Sequence, residues 1–130
     1  MSKAPLPTDA ELAILSVLWS RGPSTVREVH EALEPTQGTG YTTALKLLQI
    51  MTQKGLVERD ERSKSHVYRA LPGKEQTQKR LLSDLMSRAF AGSASELVLR
   101  ALSAKPTSKE ELGEIRALLD RLEGTSERKR

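Results

Sequence analysis

Between Gly40 and Arg59 the hydrophobic pattern of the chain changes period. Ala44, Leu47, Leu48 and Met51 recur at i, i+3, i+4 and i+7 and share one face of a helix, with Thr42, Lys46, Gln49 and Gln53 on the other. Gly55 ends that helix. Short strands are then predicted over residues 56–60 and 66–70, joined by a charged turn at 61–65. A helix feeding a charged hairpin predicts a winged helix, the helix-turn-helix variant whose second helix enters the major groove. The polar face carries hydroxyl, ammonium and amide groups without an acid, a set that suits base edges and phosphate oxygens. Taken alone, such a stripe is more readily an ordinary solvated surface; the hairpin after it favours the binding reading. Arg62 and Lys64 stand at the hairpin tip, either as reach for a sugar-phosphate backbone or as a solubilising turn.

Upstream, Thr8 with Glu11 and Thr25 with Glu28 have the spacing of capping boxes, so two helices are predicted to begin there. Leu12, Leu15, Val17, Leu18 and Trp19 give the first an apolar face that ends at Gly22-Pro23. The second carries Val26, Val29 and Leu33 and is predicted to break over residues 34–40, where Pro35, Gly38 and Gly40 lie. That connector is longer than the tight turn of a helix-turn-helix. Downstream of Leu71-Pro72-Gly73 only helices are predicted. The first spans about residues 75–90, and a short one begins at Ser93/Glu96 and is broken by Pro106. A last helix opens either at Thr107 with Glu110 or at Ser108 with Glu111, and residues 126–130 are expected to fray. These helices are too short to bury all their Leu alone, so either they fold back on the head as one monomeric core or, the favoured expectation, a second copy of the segment covers them.

Composition narrows the options. Hydrophobic residues make up 37% and aromatics 3%, so the core rests on Leu, Val, Ile and Ala. Without cysteine there is neither disulfide nor thiolate metal site. No apolar run reaches membrane-span length, and residues 1–7 lack the apolar core of a signal peptide, so a soluble, cytoplasmic protein is expected. The net charge of +4 is unevenly informative. Residues 1–72 hold nine Lys or Arg against eight Asp or Glu, and residues 73–130 hold twelve against nine. A head so nearly neutral gives weak electrostatic attraction to DNA unless two copies act together. His30 and His66 are the only histidines and neither stands in a catalytic motif, so an enzyme is not expected.

The run Tyr41-Thr42-Thr43 with Ala44, Leu45 and Leu48, then Lys54-Gly55-Leu56-Val57 and Tyr68, resembles the recognition helix and wing of the BlaI/MecI/CopY penicillinase-repressor family. Glu11, Ile14, Leu15 and Trp19 are similar to its first helix, and Thr25, Val26 and Glu28 to its second. Phe90-Ala91-Gly92-Ser93 with Leu97-Val98 is similar to its dimerisation segment. The resemblance runs from about Thr8 to Leu122. It implies a homodimeric repressor of a palindromic operator, controlling a β-lactam-response or other stress-response gene and released through a membrane-bound sensor peptidase. Three positions depart from the family pattern. Ile50 replaces an arginine expected to touch phosphate. Arg100-Ala101 occupies the place of an Asn-Phe scissile bond, and the cysteine cluster of the copper-responsive branch is missing.

The expectation is therefore a mainly α protein. Residues 1–72 form a winged helix-turn-helix head with a small two-stranded wing, and residues 73–130 form an all-helical dimerisation domain. Its partners are a double-stranded DNA operator, a second copy of the chain and a sensor peptidase, with no cofactor and no metal. Base contacts are assigned to Thr42, Thr43, Lys46 and Gln49, and DNA backbone contacts to Tyr41, Lys54, Arg62 and Lys64. Dimerisation is assigned to Phe90, Leu97, Val98, Leu102, Leu112, Ile115, Leu119 and Leu122; release is expected either through a cut at Arg100-Ala101 by a peptidase of different specificity or by another route altogether. The competing class is a winged-helix protein-interaction adaptor that never touches DNA.

Overall fold

The computed structural model describes residues 4–128, with side chains through Thr125; the expectations on residues 1–3 and 129–130 lie outside the described residues. The elements are α1 (Asp9–Arg21), β1 (Ser24–Thr25), α2 (Val26–Gln37), α3 (Tyr41–Lys54), β2 (Val57–Asp60), β3 (Val67–Ala70), α4 (Lys74–Ala89), α5 (Ala94–Ala104) and α6 (Lys109–Arg128). The chain divides into two compact units between Asp84 and Leu85, inside α4, so the first turns of that helix belong to the head. No described helix is long and apolar enough to cross a membrane.

Local chemistry sets the helix starts. Thr8 and Glu11 satisfy each other's backbone amides at 3.2 and 2.9 Å, and Thr25 and Glu28 do the same at 3.2 and 2.9 Å. The Thr25 amide holds the Glu28 carboxyl below the usual glutamate range. At the last helix the choice falls on Ser108: its hydroxyl accepts from the Glu111 amide at 3.1 Å. Gly55, at φ 80°, closes α3 in the left-handed region that a side chain disfavours. The Leu56 amide then donates to the Met51 carbonyl, which is why the strand starts at Val57 rather than at the expected 56.

Two expectations need correction and one is extended. Pro35 does not break α2, which continues to Gln37 and ends at Gly38 (φ 64°). Proline forfeits its own hydrogen bond to the preceding turn, and so late in a helix that loss ends nothing. The turn before α3 is consequently residues 38–40, short enough for a helix-turn-helix. The two-stranded wing is β2 with β3, as expected, and the sheet gains a third strand: β1 pairs with β3, Ser24 opposite Tyr68, in the order β1-β3-β2. Finally, α6 runs through Arg128, so residues 126–128 continue the helix where fraying was expected.

The core of the head gathers Ile14, Leu15 and Leu18 from α1, Val26, Val29 and Leu33 from α2, Ala44, Leu48 and Met51 from α3, and Leu56, Val57 and Tyr68 from the sheet. Each large side chain buried there contributes about 1.5–3 kcal/mol. The unit from Leu85 onward is different: none of its described side chains is buried. Val98, Leu99, Leu118, Leu119 and Leu122 are all more than 40% exposed. Between α4 and α5, Ala91 adopts a left-handed φ of 49°, followed by Gly92 and the Ser93 cap of α5.

Candidate nucleic-acid interface

Packing of Ala44, Leu48 and Met51 into the core turns the other face of α3 outward, so Tyr41, Thr42, Thr43, Lys46 and Gln49 are all exposed. Gly40 caps this helix without a side-chain hydrogen bond, and its first turn holds no acid. The amide dipoles of α3 therefore end at an uncapped, positive terminus beside the polar stripe. Ile50 is half-buried, whereas Thr42, Lys46, Gln49 and Gln53 of the polar stripe are all exposed. Tyr41 is held by an edge-to-face contact with His30, ring centroids 5.8 Å apart; His30 in turn pairs with Glu34 at 3.0 Å.

The wing brings further cations beside α3. The β2–β3 turn puts Lys64 in solvent, where it makes no ion pair among the described residues. Arg62 is 91% exposed, but its Nε and Nη2 form a fork on Asp60 at 3.0 and 2.7 Å. That guanidinium holds the Asp60 carboxyl down to about 2. A cleft of about 550 Å³ lies among the start of α2, the start of α3 and the wing. Thr25, Arg27, Tyr41, Lys64, Ser65 and His66 line its polar side, with no Asp or Glu among the lining residues. Arg27 and His66 escape a reading by sequence because 36 residues or more separate Arg27 from Lys64 and His66. The only local hint is that Arg27 occupies the first turn of α2, where a cation works against the dipole of its own helix.

Lys54, expected on the DNA backbone, is engaged in an ion pair. Its Nζ donates to Oε2 of the buried Glu11 at 2.7 Å, while Oε1 of the same carboxylate caps α1. Burial pushes the Glu11 carboxyl up, but the Lys54 ammonium and the Thr8 amide outweigh it and hold the group below its ordinary value. Lys54 is thus drawn inward because an unpaired carboxylate at that depth would be costly. Arg100 and Ala101 are exposed on the interior of α5, so a cut there requires the helix to unwind locally. Among the described residues, no three His, Asp or Glu side chains converge as a metal site would require.

A family model described as the penicillinase repressor matches residues 7–121. The transcriptional regulator BlaI of Mycobacterium tuberculosis (strain H37Rv) is 36% identical over 90 residues, which cover 68% of this chain and 65% of that protein. The match thus spans just under two-thirds of the relative's own length. A solution structure of the Bacillus licheniformis BlaI monomeric form in complex with the blaP half-operator is similar at a TM-score of 0.50 and 25% identity, covering 58% of this chain and 92% of that one. A MarR family protein from Bacillus stearothermophilus shares the fold alone, with 20% identity, a TM-score of 0.50, and coverage of 92% of this chain and 75% of that one.

Proposed function

The chain belongs to the penicillinase repressor family, and on that premise we propose that it is a transcriptional repressor whose homodimer binds a palindromic DNA operator. The observation that carries this reading is the acid-free outer face of α3 beside an uncapped helix start and a cleft lined by cations from α2 and the wing. In this reading Thr42, Thr43, Lys46 and Gln49 meet base edges, Lys46 bonding guanine and Gln49 pairing with adenine. Tyr41, Lys64 and Arg27 hold phosphates. Arg62 keeps its fork on Asp60 and offers its remaining N–H groups to the backbone.

Dimerisation is assigned to the unit from Leu85 onward, whose Phe90, Leu97, Val98, Leu102, Leu112, Ile115, Leu119 and Leu122 find no buried environment within one chain. A homodimer presents two heads, and its paired helices and wings compensate for the weak net charge of each.

The test is a pair of variants. Lys46→Ala with Gln49→Ala is expected to cost about 1–3 kcal/mol per base contact and to flatten discrimination between selected operator and random duplex. Arg27→Ala with Lys64→Ala is expected to weaken binding to every sequence and to reduce the salt slope. If the α3 variant selects the same operator as the wild type, α3 is not the reading helix. Inertness towards DNA at low salt favours the adaptor reading instead.

Release is assigned to a membrane-bound sensor peptidase that cuts Arg100-Ala101 when α5 opens. Its pocket must accept a long cation followed by a methyl group, a specificity distinct from an amide followed by an aromatic ring. Mass spectrometry of protein from induced cells is expected to find a fragment ending at Arg100. Intact protein that has left its operator would rule out this route.

A further inference from the structure

We infer that Trp19 and Arg80 are positioning residues that clamp the base of α4 to the head, and that the clamp makes the protein a strict judge of half-site spacing. The second part rests on the dimeric DNA-binding reading above. Strand β3 ends at Ala70 and α4 starts at Lys74, so the path out of the wing is Leu71-Pro72-Gly73. By composition this is a loose joint: Leu71 and Gly73 are exposed, and nothing lies within 4 Å of a Cβ built on Gly73.

The joint is nevertheless fastened on both sides. Before it, the Leu71 amide donates to the Leu56 carbonyl at 3.0 Å, and the Trp19 indole Nε1 donates to the Pro72 carbonyl at 3.0 Å. After it, Thr77 is buried, 3% exposed, although the residues on either side of it are exposed. One turn further, Arg80 Nη1 donates to the Ala4 carbonyl at 2.9 Å. Ala4 itself packs on the core. The two side-chain bonds span 53 and 76 residues, so they tie the linker before α4 to α1 and α4 itself to Ala4, and neither follows from local helix or turn formation.

Trp19 packs against the twelve-residue buried core from its edge and Arg80 does not belong to it, and neither lies on the candidate DNA surface. Their placement fits the task of restraining a helix that leaves the head. A restrained helix limits the separations at which two heads can engage one duplex; a loose one widens the range.

The test uses the full chain. In the absence of DNA, Trp19→Phe with Arg80→Ala is expected to speed amide exchange at residues 77–80, the first hydrogen-bonded amides of α4, by about tenfold, leaving α3 unchanged, because hydrogen bonds that close a local opening are removed. The DNA probes are the duplex that wild-type protein selects from a random pool, the same duplex with about five base pairs inserted at its centre, and a single half-site. Insertion is expected to cost the wild type at least about tenfold in affinity and the double variant less than about threefold, with equal binding to the half-site. Arg80→Lys, which can still donate to the Ala4 carbonyl, is expected to keep the wild-type profile. Unchanged exchange at 77–80 would overturn the clamp, and faster exchange with the wild-type spacing profile would overturn its positioning role. A wild type that binds the half-site but ignores spacing would refute the dimeric reading and with it the measuring role; the exchange comparison, made without DNA, decides the clamp separately.

Discussion

Glu11 joins two ends of the head: one carboxylate oxygen caps α1 through the Thr8 amide and the other receives Lys54 from the last turn of α3. Removing the cation leaves a buried charge without its partner. Lys54→Ala is therefore expected to lose about 2 kcal/mol of stability in urea unfolding at neutral pH, towards the low end for a broken buried pair because solvent reaches Lys54. It is expected to leave the DNA salt slope unchanged, since this ammonium is committed inward. The pH dependence has a definite sign. The folded-state value of Glu11 lies below its ordinary 4.5, so its contribution is fully present above that value and is lost as the pH falls through the folded one. The deficit of Lys54→Ala relative to wild type should thus be largest above about pH 5 and shrink in acid. A deficit that stays constant between neutral and acid pH would disconnect Lys54 from Glu11.

Among the elements, α2 carries a conflict between local preference and tertiary demand. Pro35 sits inside it, unable to donate to the Glu31 carbonyl, yet the helix persists to Gln37 because Val26, Val29 and Leu33 anchor its apolar face and Gly38 supplies the left-handed stop. Pro35→Ala restores the missing donor at an exposed position and is expected to stabilise the head by about 1 kcal/mol, read as a rise in the thermal midpoint. A fall would mean that the rigid ring contributes more by restricting the unfolded chain or the turn into α3 than its lost hydrogen bond costs. The position of this stop matters for function, because it leaves only residues 38–40 to aim α3.

For the whole molecule, the useful boundary is the one between Asp84 and Leu85, since the buried Thr77 and the Arg80 bond to Ala4 belong to the head. A chain ending at Asp84 is expected to fold and to sediment as a monomer. It should bind a single half-site with the affinity of one head, and it should lose about a hundredfold on the full operator, where two tethered heads gain from effective concentration. Ending the chain at Gly73 instead removes Thr77 and Arg80 and should lower the thermal midpoint. Full-length protein that remains monomeric at micromolar concentration would refute the assignment of the apolar residues of α5 and α6 to a second copy.

What the sequence determined by itself is whatever is decided within about one helical turn. Thr8 with Glu11, Thr25 with Glu28, Ser93 with Glu96 and the Gly55 stop are all contacts between residues a few positions apart, and the period of Ala44, Leu48 and Met51 names the inner face of α3. Because that face is fixed, the outward aim of Thr42, Thr43, Lys46 and Gln49 was legible too. The tertiary structure alone decided the partnerships that cross long stretches of chain. Strand β1 is two residues long and exists only because β3 lies beside it. Lys54 finds Glu11 across 43 residues, and Arg27 comes to one cleft with Lys64 and His66 only after the wing has folded back towards α2. The physical reason is that a cap or a periodic face is stabilised by neighbours already present in the local chain. A buried ion pair, a two-residue strand or the clamp on α4 gains its partner only when the core has closed the loops between them.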